Sequence, residues 1–199
     1  MAAKAGRFEA AEAAARAVDL RVATVGMWLF LAANAFFFAA WYFAFFYLKA
    51  INNNNAWLIQ GLTRPNRAYG TIVLVMALIS IAAYALASRA AAVRTVGWRL
   101  PAVVALVVGL GACVFQGYEM WHLGFGLTQG SYPAVFAGLT ASWLLEFVAA
   151  MFWLATIISQ TRLGGDTVTR PASVVSFANA LYFLGVVAVL NWIILYFLP

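Results

Sequence analysis

The chain has 199 residues, of which 66% are hydrophobic and 9% charged, and its mean hydropathy is +0.91. Soluble domains carry about 25% charged residues, so this composition excludes a water-soluble globular protein. It places the chain among integral membrane proteins, with length for about five spans of ~25 residues. The formal net charge of +6 does not point to nucleic acid, because the cations sit in the polar breaks between apolar runs. There they act as topology signals and lipid head-group contacts. No period-two alternation supports a β-barrel, so the expected fold is an all-α integral membrane protein with five transmembrane helices.

In chain order, residues 1–21 form a polar lead-in without the small-residue cleavage site of a secretory signal. Phe8 to Val18, rich in Ala and Glu, reads as a short surface helix. The membrane domain, 22–199, follows. Its first span, about 23–48, is strongly aromatic in its second half, from Phe36 to Tyr47. Asn34 is its one amide, set among Ala32, Ala33 and Ala35, and an amide in hydrocarbon calls for an interhelical partner. Asn34, Phe37 and Trp41 are the candidates for packing or for lining a lipid cleft.

Ile51 to Asn66 is the longest break between spans. It holds the tract Asn52 to Asn55, with Trp57 and Leu58 placed to lie on the membrane surface or dock a neighbour, and Arg64-Pro65-Asn66 as a turn signal. The second span, about 69–88, is plain Ala, Ile, Leu and Val. The third, about 101–123, carries Gly109, Gly111, Ala112 and Gly117, small residues that let helix backbones approach. Gly124, Gly126 and Gly130 mark a short turn. The fourth span, about 132–160, is long enough to require tilt and holds Glu146 near its middle. Arg162 to Pro171 is a polar turn around Gly164-Gly165-Asp166, and the fifth span, about 173–198, contains Asn179 and Asn191.

Nine cations (Lys4, Arg7, Arg16, Arg21, Arg89, Arg94, Arg99, Arg162, Arg170) fall on one side of this scheme, and Lys49, Arg64 and Arg67 on the other. The positive-inside rule then puts the N-terminus in the cytoplasm and the C-terminus outside. No internal repeat is evident, and five spans do not divide into two equal halves, which argues against a secondary transporter.

The richest stretch chemically is Val114 to His122. It holds the only His and one of two carboxylates in or beside a span. Gln116, Glu119 and His122 recur every three residues and so share a helix face, and ionisable groups at such depth are functional candidates. Glu119 and His122 fit a structural ion pair or hydrogen bond, with a proton relay as the alternative. Glu146 has only Ser142, Ala149 and Ala150 near it on its own helix. It requires a polar partner on another helix or subunit, or a proton. Asn34, Asn179, Asn191, Gln116 and Tyr118 are the candidates.

One His does not provide a bis-His haem site. Cys113, Glu119 and His122 offer at most three metal ligands, spread over more than two helical turns, and Cys113, the only cysteine, has no intrachain disulfide partner. No phosphate-binding glycine loop precedes a Lys, and no nucleophile elbow is present. The residues therefore favour a chain with no catalytic centre and no metal of its own.

Four stretches resemble subunit III of the haem-copper oxidases, in the short five-span form of bacterial cytochrome c and quinol oxidases. Val25-Gly26-Met27-Trp28-Leu29-Phe30-Leu31, followed by Phe36-Phe37-Phe38-Ala39, is similar to the family's first shared span. Gln116-Gly117-Tyr118-Glu119 matches its Gln-x-x-Glu motif. Gly130-Ser131-Tyr132-Pro133-Ala134-Val135-Phe136 resembles the start of its long fourth span, and Phe183 to Pro199 has the texture of its last. Departures mark a divergent member. Ala33-Asn34 stand where the family has Ser-Glu, Trp143 and Glu146 where it has a His-x-x-His pair, and Leu181-Tyr182 and Gly185 where it has Trp-His and a following Asp.

The resemblance implies a non-catalytic accessory subunit that packs against catalytic subunit I, and with subunit II, of a respiratory terminal oxidase in the bacterial inner membrane. Haem and copper lie in those partners. Phospholipid is held in a V-shaped cleft between helices 1–2 and helices 3–5, and the subunit supports proton uptake and turnover stability. Gln116, Tyr118 and Glu119 are the retained part of the family's buried polar face, with Glu146 a replacement carboxylate. The competing expectations are an accessory subunit of a nitric oxide reductase, a small proton or ion transporter using Glu119, His122 and Glu146, and an assembly factor.

Overall fold

The computed structural model describes residues 2–52, 57, 61, 63–92, 96–163 and 171–198. Five helices account for nearly all of them: α1 (Ala2–Ala50), α2 (Arg67–Ala92), α3 (Arg99–Trp121), α4 (Ser131–Leu163) and α5 (Pro171–Phe197). A single 3-10 turn, Val96–Trp98, leads into α3, and no strand occurs among the described residues. Each helix contains a stretch long and apolar enough to cross a membrane: Arg21–Ala50, Arg67–Ala91, Arg99–Trp121, Ser131–Gln160 and Ser173–Phe197.

The helix ends follow local chemistry. Asn66 caps α2, its Oδ1 accepting from the Ala68 amide at 2.9 Å, just after Pro65 has broken the chain direction. α3 closes where the His122 amide donates to both the Tyr118 and Glu119 carbonyls at 3.1 Å. Gly130, at φ 124, turns the chain into α4 with a backbone angle that L side chains rarely adopt. Pro171 opens α5 at the first helical position, where its missing N–H costs nothing. The start of the chain differs from expectation. Instead of a separate surface helix over Phe8–Val18, α1 runs unbroken from Ala2 into the first span, because the Ala-rich stretch offers no proline or turn to stop it. The polar turn at Gly164-Gly165-Asp166, most of the asparagine tract, and Leu58 lie outside the described residues.

Helices α2, α3, α4 and α5 form a closed ring: α2 packs on α3, α3 on α4, α4 on α5 and α5 back on α2. The closest seam is α2–α3. There Ala77, Ser80, Ala83 and Ala87 are buried against Ala102, Ala105, Gly109 and Ala112. The Ser80 hydroxyl donates to the Ala105 carbonyl at 2.7 Å, and any Cβ at Gly109 would strike Met151 of α4 and the Ser80 hydroxyl. Small side chains let these backbones approach where no hydrophobic force separates helix from lipid.

α1 lies outside the ring, on α4 and α5. Trp41 covers Gly138 of α4, where an added Cβ would meet the indole. Phe38 meets Phe183 of α5 at 6.2 Å between ring centroids, and Tyr42 donates to Asn191 Oδ1 at 2.9 Å. No contact joins α1 to α2 among the described residues. The contacts therefore do not divide the molecule into helices 1–2 against helices 3–5. The small-residue seam draws α2 onto α3.

Candidate functional site

Two buried polar side chains, Gln116 and Glu119, lie near the C-terminal end of α3. Gln116 and Glu119 are 4% and 2% exposed. One turn apart on α3, they meet directly, Gln116 Nε2 donating to Glu119 Oε2 at 3.1 Å. The second carboxyl oxygen, Oε1, accepts from the Tyr196 hydroxyl at 2.5 Å. Tyr196 belongs to the last turn of α5, and α3 and α5 make no backbone approach to one another. This hydrogen bond therefore spans the middle of the four-helix ring. Gly70 of α2 makes room for it, since a Cβ there would fall on the Tyr196 ring.

An aromatic group closes this end of the bundle over the carboxyl. Tyr132, at the start of α4, donates from its hydroxyl to the Leu195 carbonyl at 2.7 Å. Phe136 sits edge-on to Tyr196 at 5.6 Å. Trp57 packs on Tyr132 at 5.6 Å and on Phe45 at 4.9 Å, and its carbonyl accepts from the Tyr132 amide. Trp57 is thus buried within its own chain rather than lying on a membrane surface. Beside the cluster lies a cavity of about 30 Å³ lined by Gln116, Thr140, Trp143, Asn191 and Tyr196. That is room for a water, with amide and hydroxyl groups to hold it.

The stretch from Val114 to His122 therefore divides. Gln116 and Glu119 face inward. Tyr118 is 46% exposed, one residue and so about 100° round the helix from Glu119. His122 is also exposed, because α3 ends at Trp121 and the three-residue repeat loses its meaning once the helix stops. The His122 ring is hydrogen-bonded to the Tyr118 carbonyl through Nδ1 at 2.9 Å and lies against the Tyr118 ring at 4.1 Å. Glu119 finds Gln116 and Tyr196 instead of His122. Tyr196 carries no signal in the local sequence. What locates it is topology, since α3 and α5 end on the same side of the bundle and bring their last turns level.

No protein-family model matches the chain, and a search of curated proteins finds no match. Its chemistry is read from geometry.

The remaining candidates lie elsewhere. Asn34 is half-buried on α1 and donates from Nδ2 to the Phe30 carbonyl of its own helix at 3.1 Å. Phe37 is 45% exposed, edge-on to Phe38 at 5.4 Å. Trp41 is the packing residue over Gly138. Glu146 is half-buried on α4. Among the described residues no side chain hydrogen-bonds or pairs with it, so the partner expected on another helix of this chain is not there. Asn191 Oδ1 accepts from Tyr42. The described hydrogen bonds do not connect Glu119, His122 and Glu146 to one another, and among the described residues no three His, Cys, Asp or Glu side chains converge. What the cluster does chemically is fix helix ends. A carboxyl group taking two donors out of contact with water ties α3 to α5 across the bundle.

Proposed function

We propose that this chain is a non-catalytic accessory subunit of a respiratory haem-copper terminal oxidase, of the subunit III type, in the bacterial inner membrane with its N-terminus cytoplasmic. The observation that carries the reading is the fate of the Gln-x-x-Glu motif. Gln116 and Glu119, the two residues that define the resemblance in α3, are the pair buried together and latched by Tyr196. A motif spent on holding helices together suits a subunit that stabilises a neighbour.

On this reading haem and copper belong to subunit I and subunit II, and proton pumping is the partner's work. Bound phospholipid lies along the exposed side of α1, where Trp28, Phe30, Phe36 and Phe43 are more than half uncovered. The accessory subunit of a nitric oxide reductase is the second reading, favoured by the sites where the family's buried polar groups are replaced: Asn34, Trp143, Tyr182 and Gly185. A transporter reading has less support, because the described hydrogen bonds provide no path between Glu119 and Glu146.

The test is gentle solubilisation of native membranes with a tag on this chain. The purified complex is expected to show a haem absorption spectrum, to contain copper, and to include a larger haem-bearing polypeptide. Copper separates the oxidase from a nitric oxide reductase. Deleting the chain should speed inactivation during turnover while leaving initial electron transfer intact. Recovery as a stable monomer free of any haem protein would overturn the proposal.

A further inference from the structure

Glu146 stands at the middle of the α4 stretch Ser131–Gln160. Roughly 21 Å of helix separates it from either end at 1.5 Å per residue, and half the hydrocarbon thickness of a bilayer is about 15 Å. A glutamate side chain, about 4 Å long, does not reach an interface from there. It is half-buried, and among the described residues it has neither a hydrogen bond nor an ion pair. A carboxyl at such depth is costly unless paired.

Its surroundings follow from helix register. Trp41 lies over Gly138 in the antiparallel α1–α4 pair, and two turns along both helices Asn34 comes level with Leu145 and Glu146. Phe38 lies on Phe183 in the parallel α1–α5 pair, and one turn along both helices Asn34 comes level with Asn179. The Trp143 indole donates to the Leu184 carbonyl, which carries Glu146 to the level of Leu181. Three polar side chains from three neighbouring helices thus reach one depth, each half-buried. No bond joins them, and Asn179 has no partner among the described residues. Ala33 and Ala149 beside them are exposed, and Leu145 is 73% exposed. The small residues permit another helix to approach closely.

We infer that this level of the α1–α4–α5 surface is the docking site for a transmembrane helix of a different membrane polypeptide, which places a basic side chain (Lys, Arg or His) against Glu146. Charge complementarity decides the occupant. One carboxyl and two amides stand at this level within an otherwise apolar surface, and a helix without a cation would leave Glu146 holding a proton in place of an ion-pair partner. The partner is defined by that chemistry, whether or not it belongs to an oxidase.

The test uses the full chain in its native membrane, with a photoreactive residue at Ala33 or Ala149, and at Val114 as a control. Val114 is 74% exposed on the outward face of α3. Adducts are expected at Ala33 and Ala149, mapping by mass spectrometry to a membrane segment of another polypeptide that carries a basic residue within about one turn of the linked site. They should be absent at Val114. Glu146→Leu should lower the yield roughly tenfold or more, and Glu146→Gln, which keeps the side-chain shape, should lower it as well. Replacing the partner's basic residue by Leu in the Glu146→Leu background should restore the yield. Adducts confined to lipid, to a second copy of this chain or to a segment without a basic residue would overturn the inference, as would equal yield at Val114. A mapped basic partner in a haem-free complex would retain this inference and overturn the oxidase reading. A haem-bearing partner linked only at Val114 would do the reverse.

Discussion

Glu119 and Glu146 are both carboxyls in apolar helices, and the sequence treats them alike. Glu119 lies beneath an aromatic cover with a donor on each oxygen, whereas Glu146 is half-buried with none among the described residues. Of the two donors to Glu119 only Tyr196 comes from another helix, and its hydroxyl is the group to remove. Tyr196→Phe keeps the ring in place beside Gly70 and Phe136 but leaves Glu119 with Gln116 alone. The expected loss is about 1–3 kcal/mol for a buried acceptor deprived of its donor, read as a lower thermal midpoint of the detergent-solubilised protein. Glu119→Gln should also cost stability, because with its amide oxygen kept on the Tyr196 hydroxyl its nitrogen meets Gln116 Nε2 donor to donor. The two changes disturb one hydrogen-bonded group, so their effects should not add, with a coupling of about 0.5–3 kcal/mol. Within a purified complex, both should impair assembly more than the turnover of whatever fully assembles. A large fall in turnover with assembly intact would instead make Glu119 a proton-handling group.

At the scale of helices, glycine decides which pairs meet. Gly70 faces the Tyr196 ring, so Gly70→Ala should push that ring away from Glu119 and destabilise by about 1–3 kcal/mol, as overpacking does. Adding Gly70→Ala to Tyr196→Phe should cost less than its effect alone, because the bond it disturbs is already gone. Thermal midpoints of the four proteins check this, and full additivity would mean that Gly70 acts without Tyr196. The helices themselves were legible in sequence. Five helices long and apolar enough to cross a membrane are present as expected, since apolar runs bounded by Arg-Pro-Asn or clustered glycines leave few choices. The inward turn of Gln116 and Glu119 was legible for the same reason, being a matter of period within one helix. Tyr118 and His122 were misplaced because one lies a residue off that face and the other lies past the helix end. Tyr196, and the Tyr42–Asn191 bond, depend on the register between helices distant in sequence, which no local pattern encodes. The unbroken α1 was missed because a charged, Ala-rich lead-in and an apolar span are both good helix, and the change of solvent between them requires no change of backbone.

Across the whole molecule, the ring of α2 to α5 and the outlying α1 are held by different means. The ring has a seam of Ala, Gly and Ser and a hydrogen bond across its middle. α1 is attached by Trp41 on Gly138, Phe38 on Phe183 and Tyr42 to Asn191, and much of its aromatic surface is uncovered. Such an element should yield first. Gly138→Val would fill the space under the Trp41 indole and lever α1 from α4 while leaving the Glu119 latch untouched. Spin labels at Ala33 on α1 and Ala149 on α4, both exposed, should then report a longer and broader distance distribution. A pair at exposed Leu86 and Leu100, on α2 and α3, should not change. Since Gly138 and Tyr196 share no partner, Gly138→Val and Tyr196→Phe should add in their effect on thermal midpoint to within about 0.5 kcal/mol. Strong coupling between them, or a shift of the α2–α3 labels, would show instead that α1 and the ring fold as one unit.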